Sequence, residues 1–333
     1  MEEYNSYRWE RLEYLGLDFL YVKHIVKSNY NYEIRERDLI NFIANISTYK
    51  DINEVELLNI LEEHVYKKVF VFSIRQYKKN KEMPFIEEIT NNILNVLFKE
   101  RNDIKIENDE YFDGELDSCF RVIYYKNDDE FSIIKMSRII SVDTSNNLDD
   151  GTIEEDTIIL YDCCKFIIDL NNKLVFMFFN DLNNSDGNIS KEITYKKAAF
   201  RELFLNVSNR NILKYSFIQY LENYFQEYIN DIKQGNQRKL VSIIEASSID
   251  TKEEEKSLIR SVKRNYVHNR KRLDAIENDI KNEGLTISEI ECCINGTIVD
   301  LRHEGEICCI NNFLNEEVIK SVCKEFFNEY KLS

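Results

Sequence analysis

A polar cluster near the C-terminus has the side chains that acid–base chemistry needs. Asp300, His303, Glu304 and Glu306 lie between two predicted strands, together with Arg302. An imidazole titrates near neutral pH, and a neighbouring carboxylate can orient it or exchange a proton with it. The cluster predicts a candidate catalytic site, while the tip of an ordinary β-hairpin has the same composition.

A second pattern concerns metal-dependent cleavage of nucleic acid. Many such nucleases use an Asp followed by Glu-x-Lys on neighbouring strands, where the carboxylates hold the ion and the lysine stabilises developing charge. Asp250, Glu254 and Lys256 supply these residue types. They are closely spaced at a predicted helix start, where acidic residues also complement the helix dipole. A metal-dependent nuclease is therefore the alternative function, and the sequence predicts no metal site and no cofactor.

The eight cysteines are spaced unlike a zinc site. Three adjacent pairs and two single residues make up the set: Cys163–Cys164, Cys292–Cys293, Cys308–Cys309, Cys119 and Cys323. Structural zinc usually needs two ligands separated by two to four residues, and adjacent residues in a strand point to opposite faces. The spacing predicts reduced thiols that pack as small apolar side chains.

One segment is strongly basic although the chain as a whole is acidic. The protein has a formal net charge of −16, which opposes nonspecific binding to nucleic acid. Between residues 256 and 272 there are seven basic residues and no acidic one: Lys256, Arg260, Lys263, Arg264, Arg270, Lys271 and Arg272. A local run of this kind can hold phosphates, so it predicts a nucleic-acid-binding segment.

The same segment has the apolar spacing of a packed helix. Steps of three and four residues separate a row of side chains with Asn269 at its one polar position: Ile259, Val262, Tyr266, Leu273, Ile276 and Ile280. Such a row is typical of a helix seam. It predicts a helix from Thr251 to about Asn282 that packs on its own domain, on a partner protein or on a second copy.

The elements that would position these residues fall into separate helical and strand regions. The N-terminal third predicts mainly helices, Asn53–Lys68 and Pro84 to about Lys99, with a short strand at Val69–Ile74. From Asp117, β-branched and aromatic runs, among them separate runs at Thr157–Leu160 and Lys165–Leu170, predict an antiparallel meander covered by helices at Tyr195–Asn206 and from Leu213 to Tyr228. This segregation predicts the α+β class.

The chain length favours two domains. Gln234–Gln237 is polar and contains a glycine, so it predicts a linker between residues 1–233, a mixed helical and β-meander domain, and residues 238–333. The second domain is expected to be a small α/β unit that combines the basic helix, three short strands (Ser288–Ile294, Thr297–Leu301 and Glu306–Ile310) and a closing helix, Asn315–Tyr330.

The composition indicates where the protein is located and which residues form its turns. With 43% hydrophobic and 12% aromatic residues the chain has enough apolar surface to fold. No apolar run approaches the roughly 18–20 residues that cross a bilayer, so a cytoplasmic protein without membrane contact is expected. With one Pro and eight Gly, turns must depend on Asn, Asp and Ser.

The middle of the chain resembles the DNA-binding subunit of the bacterial Kiwa phage-defence system in its order of strands and helix. The similar parts are Asp156–Leu160, Phe166–Val175 and Phe200–Phe204. They contain no diagnostic motif, so the resemblance implies no functional residue. Together these features predict an accessory or regulatory binding protein of a bacterial or phage-encoded system, with anti-phage defence as its setting, rather than a stand-alone enzyme.

Overall fold

The computed structural model describes residues 6–15, 17–76, 84–99, 106–128, 131–147, 153–180, 188–217, 241–250, 286–294 and 297–309, with a few positions between 219 and 278. In chain order the helices are α1 (Ser6–Tyr14), α2 (Phe19–Tyr30), α3 (Leu39–Asn45), α4 (Glu54–Glu63), α5 (Ile86–Lys99) and α6 (Asn188–Ser208), and a 3₁₀ turn covers Ile46–Thr48. The strands are β1 (Tyr66–Gln76), β2 (Arg121–Asn127), β3 (Phe131–Asn147), β4 (Ile153–Asp169), β5 (Leu174–Asn180), β6 (Arg210–Lys214), β7 (Val241–Asp250), β8 (Thr286–Ile294), β9 (Thr297–Arg302) and β10 (Glu306–Cys309).

The chain divides into two compact units. The first unit contains Met1–Tyr66, Gln76–Asn172 and Met177–Arg210, and the second contains Lys67–Arg75, Lys173–Phe176 and Asn211–Ser333. The predicted linker at residues 234–237 stays a prediction, because nearly all of it lies outside the described residues.

Helices α1 to α4 of the first unit enclose their own apolar core. Its members include Trp9, Val22, Phe42, Leu57 and Leu61. The rings of Trp9 and Phe42 meet edge to face, with centroids 6.2 Å apart. Each helix buries one apolar stripe, and this burial supplies most of the stability of such short helices.

Short polar side chains begin and end these helices. Asp18, Asp38 and Asn53 each accept a hydrogen bond from a backbone N–H of the first turn that follows, at 2.9, 2.8 and 3.2 Å. Such a cap contributes about 1 kcal/mol, because the first N–H groups have no partner within the helix. Asn31 ends α2 in the left-handed conformation, with φ 52°. Asn and Asp therefore provide the boundaries that Gly and Pro provide in other chains.

The sheet of the first unit is an antiparallel meander. Strands β2, β3 and β4 are successive antiparallel neighbours, and β5 follows β4 in the strand order. Helix α5 contacts β2, β3 and α6, and the ring of Phe200 in α6 stacks on Phe166 in β4 with centroids 3.8 Å apart. The predicted α+β class is confirmed.

The register of β3 and β4 decides which side chains share a face. Opposed residues of antiparallel strands lie on one face, and neighbours along a strand alternate. One face therefore carries three opposed pairs: Lys135 with Lys165, Ser137 with Cys163, and Ile139 with Tyr161. The other face carries the opposed pair Arg138 and Asp162.

Three element predictions are wrong in detail. Two separate strands were expected at Thr157–Leu160 and Lys165–Leu170, but β4 is continuous because the intervening Asp162 is buried in ion pairs. The predicted helix Asn53–Lys68 ends at Glu63, since the β-rich run from Tyr66 forms β1. Leu213, expected in a helix, lies in β6.

The second unit is built from antiparallel strands. Strand β1 pairs with β10, β10 with β9, β9 with β8 and β8 with β7, and β6 also pairs with β1. The three predicted C-terminal strands are confirmed. The helices predicted at 251–282 and 315–330 fall outside the described residues, except for Asn278, which is helical. No helix in the described part of the chain is long and apolar enough to cross a membrane.

The turn between β9 and β10 depends on Gly305. Its φ is +80°, and a Cβ there would lie 2.5 Å from the carbonyl oxygen of Tyr215 and 3.0 Å from that of Val71. Its N–H donates to Arg302 O at 3.0 Å, and its carbonyl oxygen accepts from Val71 N at 2.8 Å. Backbone therefore surrounds the position on several sides.

We expect Gly305→Ala to lower the free energy of unfolding by about 1–3 kcal/mol, because the added methyl meets backbone atoms and the conformation is left-handed. Urea denaturation measures the loss. Gly114→Ala is the matched control, since a Cβ there meets the tip of the Phe112 ring, which a side-chain rotation can move. Equal stability of Gly305→Ala and the wild type would contradict this account of the turn.

Candidate functional site

Helix α1 presents two sets of side chains in different directions. Residues three, four and seven positions apart share a helix face. Tyr7, Glu10, Arg11 and Tyr14 have this spacing and line a surface pocket. The other set, Arg8, Trp9 and Leu12, is buried at 0–2% exposure.

The pocket, called here the α1 pocket, has a volume of about 330 Å³. Besides the four α1 residues, its described lining consists of Gly114, Glu115, Leu116, Ile139, Ile159 and Tyr161. Its volume lies at the lower end of the range of about 300–1,000 Å³ in which proteins bind small molecules or single side chains.

Exposed apolar side chains gather at this pocket. Tyr7, Tyr14 and Ile159 are 40%, 47% and 41% exposed, and they are three of the ten large hydrophobic side chains that are exposed in the described part of the chain. Apolar side chains that collect in one concave place indicate an interaction site, whereas scattered ones carry no such meaning.

Strands β3 and β4 form the floor of the pocket. Ile139 and Tyr161 are opposed in register, and the ring of Tyr14 lies 5.3 Å from that of Tyr161, tilted by 34°. Burial raises the pKa of Tyr161 to about 12, and the carboxylate of Glu10 acts in the same direction. The hydroxyl therefore stays protonated at neutral pH.

Arg11 also lines the pocket and binds the segment before β2. Its Nη2 donates to Phe112 O at 3.0 Å and its Nη1 to Gly114 O at 3.4 Å. Burial lowers the pKa of Arg11, opposed by the charge of Glu62, and the guanidinium remains charged at neutral pH. Because its donors are directed at backbone carbonyls, Arg11 positions the segment that carries Glu115 and Leu116.

Arg8 fixes α1 to α4 below the pocket. Its Nε donates to Glu62 Oε1 at 2.8 Å and its Nη2 to Asn59 Oδ1 at 2.8 Å. The guanidinium carbon lies 4.0 Å from the ring centroid of Tyr111, and the backbone N–H of Arg8 donates to Asp113 Oδ1 at 3.1 Å. The helix is thus tied to both elements that flank it.

A buried three-residue ion cluster lies next to this contact. Lys135 and Lys165 are opposed on β3 and β4, and like charges in this arrangement repel. Glu63, at the end of α4, binds both: Oε1 lies 2.5 Å from Lys135 Nζ, and Oε2 accepts from Lys165 Nζ. The two ammonium side chains are only 5% and 1% exposed, so one carboxylate compensates two buried cations.

Aromatic rings surround the two lysines. Lys135 Nζ lies 5.1 Å from the Tyr111 ring and 5.0 Å from the Tyr124 ring, and it donates to Tyr111 Oη at 2.9 Å. Lys165 Nζ lies 4.1 Å from the Phe178 ring. These cation–π contacts add stabilisation where water is excluded.

The two ammonium groups control the ionisation of Glu63. Burial alone would raise the pKa of Glu63, but Lys135 and then Lys165 outweigh it and lower that pKa to about 2. Burial likewise opposes the charge of Lys135, yet Glu63 raises the pKa of Lys135 above its usual range. The cluster therefore stays ionised at neutral pH.

The opposite face of β3 and β4 repeats this arrangement. Asp162 is fully buried and lies 2.9 Å from Arg138 Nε, and its other oxygen accepts from Lys196 Nζ of α6. Arg138 also contacts Glu192 of α6 at 2.9 Å. These ion pairs hold α6 on β4.

Four cysteines have side chains that the structure describes; all four are free, and three of them are wholly or partly buried. Cys163 and Cys164 are buried on opposite faces of β4, Cys308 is half-buried and Cys119 is exposed. Burial raises the pKa of Cys163 to about 12 and that of Cys164 still further. These two thiols are therefore protonated and poor nucleophiles at neutral pH.

The sequence-predicted catalytic residues lie in the second unit, and the structure joins two of the four. Arg302 contacts Asp300 at 3.2 Å, Glu306 at 3.5 Å and Glu289 of β8 at 3.3 Å. His303 and Glu304 lie in the turn, where Glu304 pairs with Lys214 at 2.7 Å. Glu289, which sequence reasoning missed, completes the carboxylate cluster.

Asp300 is the perturbed member of this cluster. Burial raises the pKa of Asp300 to about 8, and the neighbouring Glu289 carboxyl acts in the same direction. The side chain is 11% exposed. Asp300 and Glu289 both contact the Arg302 guanidinium within the sheet, and catalysis at Asp300, His303, Glu304 and Glu306 stays a hypothesis.

The predicted basic and seam residues lie outside the described part of the chain. This applies to Lys256, Arg260, Lys263, Arg264, Arg270, Lys271 and Arg272, and to Ile259, Val262, Tyr266, Leu273, Ile276 and Ile280. Among the described residues, no three His, Cys, Asp or Glu side chains form a group that would hold a metal ion.

The chain matches no protein-family model and no curated protein. Its functional interpretation therefore rests on its own residues.

Sequence reasoning missed the α1 pocket and the Glu63 cluster. The signals were the spacing of Tyr7, Glu10, Arg11 and Tyr14, and a single lysine in each of the two strands β3 and β4. The first appears only when the helix is drawn as a wheel. The second identifies the lysines but not Glu63, which lies far away in the sequence.

We expect Glu63→Gln to lower the free energy of unfolding at pH 7 by about 3 kcal/mol, because it leaves two buried ammonium groups without an anion. The folded-state pKa of Glu63, about 2, lies below its ordinary value of 4.5. Its contribution is therefore complete above pH 4.5 and is lost as the pH falls towards 2. The difference between wild type and variant, from denaturation at several pH values, should shrink over that interval.

Glu33→Gln is the matched control, since Glu33 pairs with Lys27 at 2.9 Å in solvent, with side chains 79% and 65% exposed. Its effect at neutral pH should be close to zero. A Glu63→Gln variant as stable as Glu33→Gln, or a difference independent of pH, would show that Glu63 does not hold the two lysines.

Proposed function

We propose that the protein acts by binding a partner and not by catalysing a reaction of its own. The observation that carries this proposal is the α1 pocket, where Tyr7, Tyr14 and Ile159 remain exposed around one concavity. The described lining contains no cysteine, serine or histidine that would act as a nucleophile or proton carrier. Aromatic and apolar side chains in such a site are typical of recognition.

The buried charged groups support the same conclusion. Glu63 and Asp162 are each bound by two cations, and these ion pairs join helices to the sheet. Catalytic carboxylates must instead reach a substrate or a metal ion. The charged interior of the first unit is accounted for by its structural contacts.

Nucleic acid is the second proposed partner. The support is the basic segment, residues 256–272, which carries seven positive and no negative side chains in a chain of net charge −16. Cations concentrated in one segment allow phosphate binding that the acidic body would otherwise oppose. The apolar spacing from Ile259 to Ile280 supports contact of the same segment with a partner protein or with a second copy.

The alternative, a metal-dependent nuclease, requires carboxylates that are free to hold an ion. In the second unit the described candidates, Asp300, Glu289 and Glu306, all lie within 3.5 Å of the Arg302 guanidinium. A guanidinium among them repels a divalent cation. We accordingly place the protein as an accessory or regulatory component of a bacterial or phage-encoded system, with anti-phage defence as the proposed setting.

A titration with DNA and RNA tests the nucleic-acid proposal. We expect the wild type to bind at low salt, and Lys263→Glu/Arg264→Glu/Arg270→Glu to lose affinity and to reduce the slope of log affinity against log salt by about 3. The matched control, Lys27→Glu/Lys126→Glu/Lys214→Glu, makes the same charge change at lysines that are 65%, 40% and 54% exposed, and it should retain the slope.

Incubation of the same samples with Mg²⁺ or Mn²⁺ decides between binding and cleavage. We expect intact nucleic acid after the incubation. Metal-dependent degradation that Asp300→Asn or Glu306→Gln abolishes would overturn the binding proposal. Equal binding by both triple variants would show that the basic segment does not bind nucleic acid. The mass in solution of each sample would show whether self-association accompanies binding.

A further inference from the structure

We propose that the α1 pocket receives a basic side chain, arginine or lysine, of a partner protein. This inference rests on the proposed binding function and adds the chemistry of the partner. It follows from the charges at the rim, the aromatic walls and the direction of the one arginine in the lining.

Two carboxylates at the rim have no counter-ion among the described residues. Glu10 and Glu115 are both exposed, and neither forms an ion pair with any described residue. They stand on different elements, Glu10 on α1 and Glu115 on the segment before β2, so a ligand in the pocket lies between elements that each supply a negative charge. The net charge of −16 strengthens the attraction of a cation to this place.

Three tyrosines contribute to the lining. Tyr7, Tyr14 and Tyr161 line the pocket, and the rings of Tyr14 and Tyr161 lie 5.3 Å apart. Ring faces attract ammonium and guanidinium groups, and a guanidinium also stacks on them as a flat group. Tyrosines together with unpaired carboxylates therefore select a cation that carries an apolar stem, which describes a lysine or arginine side chain.

Arg11 does not neutralise the site. It is the one cation among the described lining residues, but it is 4% exposed and its guanidinium donates to the carbonyl oxygens of Phe112 and Gly114. Its charge is further balanced by Glu62 and Asp113. Glu10 and Glu115 thus remain available to a ligand.

A protein accounts for the rim better than a free small cation does. Tyr7, Tyr14 and Ile159 are each at least 40% exposed, and a ligand that only filled the pocket would leave much of this apolar surface in water. A partner protein that inserts one side chain and covers the surrounding surface buries both the pocket lining and the exposed apolar side chains around it. Central aromatic anchors with a polar rim are typical of protein interfaces.

A pair of short peptides tests the proposal on the full chain. The probes are acetyl-Gly-Tyr-Arg-Gly-amide and the same peptide with citrulline, which keeps the shape of arginine but has no charge. Nuclear magnetic resonance titration should show a dissociation constant of about 1 mM for the arginine peptide. Binding should weaken by about fivefold or more with citrulline, since the ion pairs and cation–π contacts depend on charge.

Matched variants assign the binding to the pocket. Glu10→Gln/Glu115→Gln and Tyr14→Ala should each weaken the arginine peptide by about fivefold or more. Glu13→Gln, an exposed glutamate of α1 outside the pocket lining, and Tyr195→Ala, a tyrosine of α6 that is 71% exposed, should not.

Equal binding of the two peptides, no saturable binding, or equal losses in pocket and control variants would overturn the proposal. So would tighter binding of spermidine in the same pocket, which would assign the site to a free polyamine. If the peptides fail while the chain still binds nucleic acid without cleaving it, the binding function stands and only the partner chemistry is wrong.

Discussion

Glu63 joins two lysines that face each other across neighbouring strands, and the first unit depends on this contact. Lys135 and Lys165 are directly opposed on β3 and β4, nearly without exposure to water. Burial of two such charges side by side is unfavourable unless an anion lies between them. The anion comes from the last turn of α4, so the end of that helix must lie over the middle of the meander. Arg8 then fixes α1 to α4 through Glu62 and Asn59, and the position of the α1 pocket follows from these two contacts.

Each face of the meander buries a carboxylate between two cations. Glu63 lies between two lysines on one face, and Asp162 lies between Arg138 and Lys196 on the other. The Glu63 cluster has one cation more than it has carboxylates, whereas in the Asp162 cluster Glu192 balances the second cation. Glu10 and Glu115 are exposed carboxylates at the pocket. The proposed ligand, a basic side chain, is opposite in charge to them.

Much of the fold was predictable because it depends on local patterns. The apolar stripes of the helices, the β-rich runs and the separation of the two gave the α+β class, and Asn and Asp at helix ends compensate for the scarcity of Gly and Pro. The candidate site was harder to predict from the sequence. Asp162 interrupts an apolar run, and a charged residue at such a place indicates a break in the strand. Its burial within β4 is possible because Arg138 and Lys196, which are distant in the sequence, pair with it. Glu63 looks like any glutamate at a helix end, because its two partners lie 72 and 102 residues further along the chain. The carboxylate cluster on Arg302 was found only in part, since Glu289 comes from another strand.

The central claim is that Glu63 is required because two lysines are opposed, and replacing all three residues tests it most directly. The measurement is the free energy of unfolding of Glu63→Leu alone and of Glu63→Leu/Lys135→Met/Lys165→Met. A buried ion cluster replaced by apolar side chains of similar size is often neutral for stability, whereas loss of one partner costs about 3–5 kcal/mol. We expect the single variant to lose about that amount and the triple variant to recover to within about 1–2 kcal/mol of the wild type. A triple variant as unstable as the single one would contradict the central claim.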